Sequence, residues 1–455
     1  MKYDIKNVAV LGSGVMGSGI AAHLAAQGLS VLLLDRIPDK LTEQEREMSF
    51  SIDHMEVRNR FSINAINQLK QKNILSEESL CLIEVGNFDD DFMKLKEVDW
   101  IIEVVLEDLK VKKELFKKID LIRLENTIIS SNTSGLSINA MVQDCSKAFQ
   151  KHFLGTHFFN PPYYLKLLEI TPCENTCKEV LSYMTRFCKE NLKKGVIIAK
   201  DTPNFIANRL GTYGLFIALI ELEKGGYSVG EIDSVTGPLI GRPKSATLRT
   251  ADVVGIDTLV LVAKYMHSQT EGVEKEMFKL PSFLKSMIDN GMLGAKKNSG
   301  FYKKVDKEIV ELNVNSLEYG PMTKLQTSSV EQAMRQENVG SRIKTLIYSD
   351  DRAGQLVWNI LSATLQYAGQ LHGEIADDIV SMDKAMKWGF GWELGIFEIW
   401  DSIGIIKSVA KMNEEGKEIP LIVQQLLDKG YDSFYKVVDD KLYFFNGYEY
   451  ALWFD

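Results

Sequence analysis

A chain of 455 residues with 45% hydrophobic content exceeds what a single hydrophobic core serves, so two or three globular domains are expected and disorder over most of its length is excluded. Its 53 basic against 62 acidic residues leave a net charge of −9, which argues against nucleic acid as a partner, because phosphate contacts need clustered Lys and Arg. The five cysteines (Cys81, Cys145, Cys173, Cys177 and Cys188) have no metal-ligand spacing; they read as reduced thiols, and no metal is expected.

The first residues, MKYDIKNVAVLGSG, run directly into a strand without the basic, apolar and small-residue order of an export signal. No apolar run approaches the roughly 18 residues of a membrane span. Membrane insertion is therefore not expected, and a cytoplasmic location is.

Asn7–Leu11 (NVAVL) predicts a short buried strand, followed at once by glycines and then by helical spacing through Ile20 and Leu24. Ser30–Leu34 (SVLLL) predicts a second buried strand that ends on Asp35. Strand, tight turn, helix, strand and acid in this order form a dinucleotide-binding unit of Rossmann type. Gly12 permits the turn, Gly14 lets the backbone approach a pyrophosphate, and Gly17 lets helix and strand pack closely. The turn Gly12, Ser13, Gly14, Val15, Met16 and Gly17 is thus the expected cofactor contact. Asp35 stands where a carboxylate accepts hydrogen bonds from the adenosine ribose diol, favouring NAD over NADP, with Arg36 beside it able to soften that preference.

Residues 39–92 are charged and lean towards helix, an excursion from the sheet in which Lys70 or Lys72 could meet an anionic CoA or simply face water. Trp100–Leu106 (WIIEVVL) predicts the return of the sheet and Glu107–Asp120 a helix, with Glu107 at the strand end where substrate or nicotinamide sits in a doubly wound sheet. Thr127–Ser130 predicts a further strand, with SNTSG turning out of it.

The run HFFNPPYYLKLLE then sets an imidazole, His157, twelve positions ahead of a carboxylate, Glu169. Oxidation of a secondary alcohol needs a base titrating near neutrality to take the hydroxyl proton, an acid to orient that base, and a nicotinamide to take the hydride. Apolar neighbours in LKLLEI make an unpaired Glu169 costly, so His157 is its expected partner.

Five motifs in one order, GSGVMGSGIA, EVVLEDLKVKKELF, SNTSGLSI, GTHFFNPPYYLKLLEI and KDTPNFIANRL, give the chain its resemblance to the 3-hydroxyacyl-CoA dehydrogenase family over residues 5–305. The resemblance implies NAD-dependent oxidation of L-3-hydroxyacyl-CoA to 3-oxoacyl-CoA in β-oxidation. In it His157 is general base or acid, Glu169 orients it, and Ser134 and Asn208 position the 3-oxygen of the substrate. It further implies that Glu107, Lys112, Ser134 and Asn160 line the nicotinamide side and that Lys296 reaches the cofactor from the second domain. Where the family usually has Gly-Pro-Phe, this chain has Lys244–Leu248 (KSATL), a departure at the mouth of the acyl pocket. A 3-hydroxybutyryl-CoA dehydrogenase or related hydroxyacid dehydrogenase with a narrower pocket is the alternative enzyme reading. A non-catalytic NAD-binding protein is disfavoured by the presence of His157, Glu169, Ser134 and Asn208.

Asn208–Leu222 predicts a long apolar helix opening a helical domain, after which residues 306–340 are polar, lack sustained periodicity and read as a linker. Asp351–Gly373 predicts another long helix. The runs GPLIGRPKSATLRTADVVGID and GFGWELGIFEIWDSIGI share a glycine turn, an apolar helix and an Asp-x-x-Gly-Ile ending, with Asp252 and Asp401 149 positions apart. This predicts an internal duplication. DDRAGQL stands where the second copy would need the asparagine of NRL, so that copy is expected to be non-catalytic.

The expected organisation is thus an α/β Rossmann-type domain over 1–200, followed by two all-α domains of the family's C-terminal type at 201–305 and 341–455, joined by the linker. The second copy is expected to take the place of a dimer partner. The arrangement resembles the dehydrogenase part of multifunctional fatty-acid oxidation proteins, which implies an acyl-CoA substrate and a hydratase or thiolase as partner. Whether the chain is a short form or the beginning of a longer polypeptide stays open.

Overall fold

A computed structural model describes residues 3–453, which divide into two compact units at Phe205 and Ile206. The first is built on an eight-stranded sheet: β1 (Asn7–Leu11), β2 (Ser30–Asp35), β3 (Ile83–Asn87), β4 (Trp100–Glu103), β5 (Ile128–Ser131), β6 (Phe153–Phe158), β7 (Leu167–Pro172) and β8 (Gly195–Ile198), in the spatial order β3-β2-β1-β4-β5-β6-β7-β8. The first six strands are parallel, and β7 reverses direction beside β6. Val8, Val10, Leu33, Trp100 and Ile102 are fully buried, as expected of strands covered on both faces. The strand β3 was not legible in the charged stretch 39–92, because only Ile83 and Val85 carry its apolar signal and both stay partly exposed at the sheet edge.

The second unit is mostly helical and contains the same design twice. The long helix Ala207–Glu223 is followed by Val229–Thr236, Leu248–Val254, Ile256–Gln269 and Ser282–Asp289. The long helix Arg352–Leu371 is followed by Ile379–Phe390, Ile396–Ile403, Ile405–Glu414 and Leu421–Asp428. Each copy closes with a three-stranded antiparallel sheet: β9 (Tyr302–Val305), β10 (Glu308–Asn313) and β11 (Glu318–Pro321) in the first, and β12 (Tyr435–Val438), β13 (Lys441–Phe445) and β14 (Tyr450–Leu452) in the second.

The same polar clamp fastens sheet to helices in both. Asp252 accepts the backbone N–H groups of Phe301 and Tyr302, and the Tyr302 hydroxyl donates to Asp233 at 2.9 Å. Asp401 accepts those of Phe434 and Tyr435, and the Tyr435 hydroxyl donates to Asp383 at 2.8 Å. The stretch 306–340 is therefore folded over much of its length. Residues 308–321 complete the first copy's sheet, and a helix, Ser328–Met334, follows. Its strands are too short, with Leu312 their one buried apolar residue, to show a period in the sequence. The two long helices pack together, with Tyr213 and Tyr367 stacked at 3.7 Å between ring centroids.

Burial pushes Asp383 up to about 8, with Glu398 adding to the effect and the N–H groups of Phe397 and Glu398 and the Tyr435 hydroxyl opposing it. A carboxyl raised above its unfolded value contributes stability that is complete below pH ~4 and lost as pH rises through the folded value. Asp383→Asn does not titrate. The advantage of the parent over this variant in urea midpoint is therefore expected to shrink steadily between pH 5 and pH 9; a pH-independent difference would contradict it.

Candidate active site

The glycine turn follows β1 at the place where the strand order reverses between β1 and β4, the crevice in which open α/β sheets bind ligands. Gly12 has φ of +110°, and a Cβ there would lie 2.5 Å from the Val104 carbonyl oxygen; a Cβ on Gly17 would lie 1.8 Å from that of Gly12. No other residue type fits either position. A Cβ on Gly14 would meet nothing within 4 Å, so the turn is open on the side from which a pyrophosphate approaches the N-terminus of helix Val15–Ala26. These features fit a dinucleotide.

Asp35 closes β2 beside the turn, and its Oδ2 accepts both the N–H and the hydroxyl of Ser13 at 2.6 Å. Ser13 thereby fixes the carboxylate. Val15 and Leu106 are exposed, Met16 half-buried.

At the end of β4 stands a group that sequence reasoning missed. Glu103 is fully buried and accepts from the Lys112 Nζ at 2.7 Å, from the Val105 N–H and from the Ser131 hydroxyl at the end of β5. Lys112 also reaches Glu107 at 3.1 Å, and Glu107 in turn accepts the Thr133 hydroxyl and the Ser134 N–H. Burial alone would lower the Lys112 ammonium, but the charges of Glu103 and Glu107 outweigh it and raise it. The Lys112 side chain is 1% exposed, and it ties Glu107 and the SNTSG turn to the sheet. The signal for Glu103 was a carboxylate in an otherwise apolar strand, nine positions ahead of a lysine.

His157 and Glu169 are register partners on the antiparallel strands β6 and β7, and His157 Nδ1 bonds Glu169 Oε2 at 2.7 Å. Both side chains are buried, with the imidazole near Phe159 and Phe205. With Nδ1 committed to the carboxylate, Nε2 is the nitrogen left to exchange a proton. The Asn132 side-chain oxygen accepts the Phe158 N–H, joining the SNTSG turn to the strand of His157. Asp201, also missed, accepts from Ser137, Ile138 and Asn139 and fixes the next helix. Its position just ahead of TPNF gave no periodic signal. Ser134 and Asn160 are exposed at the ends of their strands.

The first unit thus brings together the glycine turn, Asp35, Glu107, Ser134, Asn160, His157 and Glu169 along the C-terminal side of the parallel strands. Asn208 lies in the first turn of helix Ala207–Glu223, and Lys296 is paired with Asp257 at 2.6 Å, both within the second unit. The descriptions "3-hydroxyacyl-CoA dehydrogenase, NAD binding domain" and "3-hydroxyacyl-CoA dehydrogenase, C-terminal domain" match residues 7–202 and 205–304. The human mitochondrial hydroxyacyl-coenzyme A dehydrogenase is 32% identical over 302 residues, 66% of this chain and 92% of that protein.

The chain belongs to the 3-hydroxyacyl-CoA dehydrogenase family.

Its first unit is the family's NAD-binding domain. A Bacillus subtilis (strain 168) protein described as "Probable 3-hydroxyacyl-CoA dehydrogenase" is 52% identical over 453 residues; the alignment takes in 99% of this chain but only 57% of that protein's length. The crystal structure of 3-hydroxybutyryl-CoA dehydrogenase from Escherichia coli K12 shares the fold over 94% of this chain and 99% of its own, with a TM-score of 0.69 at 22% identity. The similarity in fold therefore extends through the second helical copy. Among the described residues no helix is long and apolar enough to cross a membrane, and no group of three or more His, Cys, Asp or Glu could hold a metal ion.

Removing one partner of a buried ion pair strands the other charge. Lys112→Met is expected to destabilise the first unit by about 3–5 kcal/mol, and Lys112→Met with Glu103→Gln by less. Chemical denaturation of the two variants checks both the size and the order.

Proposed function

We propose that this chain interconverts an L-3-hydroxyacyl-CoA and the corresponding 3-oxoacyl-CoA with NAD as redox partner, His157 exchanging the proton of the 3-hydroxyl. The observation that carries the reading is the buried His157–Glu169 bond. In the oxidative direction His157 Nε2 accepts the hydroxyl proton while the C3–H electron pair leaves as hydride and the C–O bond becomes a carbonyl. Glu169 keeps the other ring nitrogen protonated and stabilises the imidazolium that forms. In the reverse direction the imidazolium returns the proton. NAD, when bound, supplies the hydride acceptor. Asp35 would take the ribose diol, and Glu107, Ser134 and Asn160 would lie on the nicotinamide side. Asn208 would donate to the 3-oxygen, and Lys296 would approach the cofactor after leaving Asp257.

An acyl-CoA as substrate, a hydratase or thiolase as partner, a cytoplasmic location and a second helical copy standing in for a dimer partner complete the proposal. Rates against acyl chains of increasing length separate a broad 3-hydroxyacyl-CoA dehydrogenase from one confined to 3-hydroxybutyryl-CoA.

His157→Gln is expected to lower kcat for NADH-dependent reduction of acetoacetyl-CoA about 100-fold or more while leaving NADH affinity nearly unchanged. Turnover close to the parent's would remove His157 from the mechanism. A carboxylate that bonds the ribose diol also repels a 2′-phosphate, so kcat/KM is expected to favour NADH over NADPH. Asp35→Ser should narrow that preference, and an unchanged ratio would assign selection to another group.

A further inference from the structure

The two helical copies meet as the halves of a two-fold dimer meet, the long helix of each touching the helix that follows the long helix of the other. Helix Ala207–Glu223 contacts Ile379–Phe390, and Arg352–Leu371 contacts Val229–Thr236. Arg209, at the start of the first long helix, pairs with Glu374 just past the end of the second at 2.7 Å. Arg352, at the start of the second, donates to the Gly226 carbonyl just past the end of the first at 2.7 Å and pairs with Glu231. Such reciprocity marks an isologous contact.

One position breaks the likeness. Gly241 and Gly391 share a left-handed conformation, with φ of 74° and 67°, and the residues that follow them, Arg242 and Trp392, face one another. The guanidinium carbon of Arg242 lies 4.2 Å from the centroid of the Trp392 ring, and the Glu393 N–H donates to the Gly241 carbonyl at 2.8 Å. At the matching place the first copy has Pro243, which has no N–H to return. Arg242 is 7% exposed, its Nε and Nη2 have no hydrogen-bond partner, and no carboxylate pairs with it among the described residues. A buried guanidinium without an acceptor is costly, and the face of an indole is the group here that offsets part of that cost.

We propose that the Arg242–Trp392 contact gives the pairing a direction: the face of the first copy accepts a second-copy face and rejects another first copy. Two first copies brought together in the same way would set Arg242 against Arg242, two buried cations with no acceptor between them. Two second copies would set tryptophan against tryptophan, with no such penalty. The restriction therefore falls on the half of the unit that carries Asn208. Its partner is a second-copy face of this chain, which the covalent connection between the copies, residues 322–351, supplies at high effective concentration. This inference stands on the geometry of the second unit alone and does not depend on the proposed chemistry.

The test is an exchange made in the full chain. Trp392→Arg creates the opposed cations and is expected to lower the thermal unfolding midpoint of the second unit by about 5 °C or more. Arg242→Trp combined with Trp392→Arg restores one cation and one ring, and is expected to recover at least half of that loss. Arg242→Met combined with Trp392→Arg, which removes the like charge without restoring the ring, should fall between. A Trp392→Arg chain as stable as the parent would overturn the proposal, as would an exchanged chain no more stable than the Trp392→Arg chain. If Trp392→Arg yields no soluble protein, the exchanged chain decides alone. A soluble product melting within a few degrees of the parent supports the directional contact, and an insoluble one rejects it.

Discussion

The reversal of chain direction at β7 is the constraint from which the candidate site follows. In an antiparallel pair, residues directly opposite share a face and lie close enough for their side chains to meet. His157 and Glu169 are such partners, and the loop that joins β6 to β7 brings them together without any long-range coincidence. A parallel continuation would have placed the carboxylate a whole crossover away. The bond between them is buried in the sheet, so the imidazole is oriented by the same backbone pairing that holds the strands together.

A second set of contacts ties this hairpin to the dinucleotide turn. Gly12 packs against the Val104 carbonyl; the preceding residue, Glu103, holds Lys112 and Ser131; and Asn132, next to Ser131, holds the Phe158 N–H, one residue beyond the imidazole. The Lys112–Glu103 pair is nearly dry, so either partner alone would be a buried uncompensated charge. That mutual requirement makes the network rigid, which the chemistry proposed for His157 would need.

The second unit solves a different problem. Each copy fixes its terminal sheet to its helices by a buried Asp–Tyr clamp, built on Asp233, Asp252 and Tyr302 in one and on Asp383, Asp401 and Tyr435 in the other. The asparagine of the first long helix has no equivalent in the second, whose start is capped by Asp351 through the Gly354 N–H. The second copy therefore keeps the clamp and the pairing face without that polar group.

The sequence by itself determined the Rossmann unit, because the glycine turn and the acid ending β2 are local requirements of backbone geometry. It also determined the His157–Glu169 pairing, because a carboxylate in an apolar strand must find a partner nearby, and the duplication, because Asp-x-x-Gly-Ile recurs after a glycine turn. Only the tertiary structure decided what Lys112 does: its spacing says that it lies on a helix, and not that Glu103 and Glu107 converge on its Nζ. Only the tertiary structure showed that residues 308–321 form a sheet, since β10 and β11 are specified by pairing with β9 and by the clamp at Asp252 rather than by a period of their own. The meeting of Arg242 with Trp392 belongs to the same class. They are 150 positions apart, and nothing local to either residue anticipates a contact that arises only when two copies of one fold close on each other.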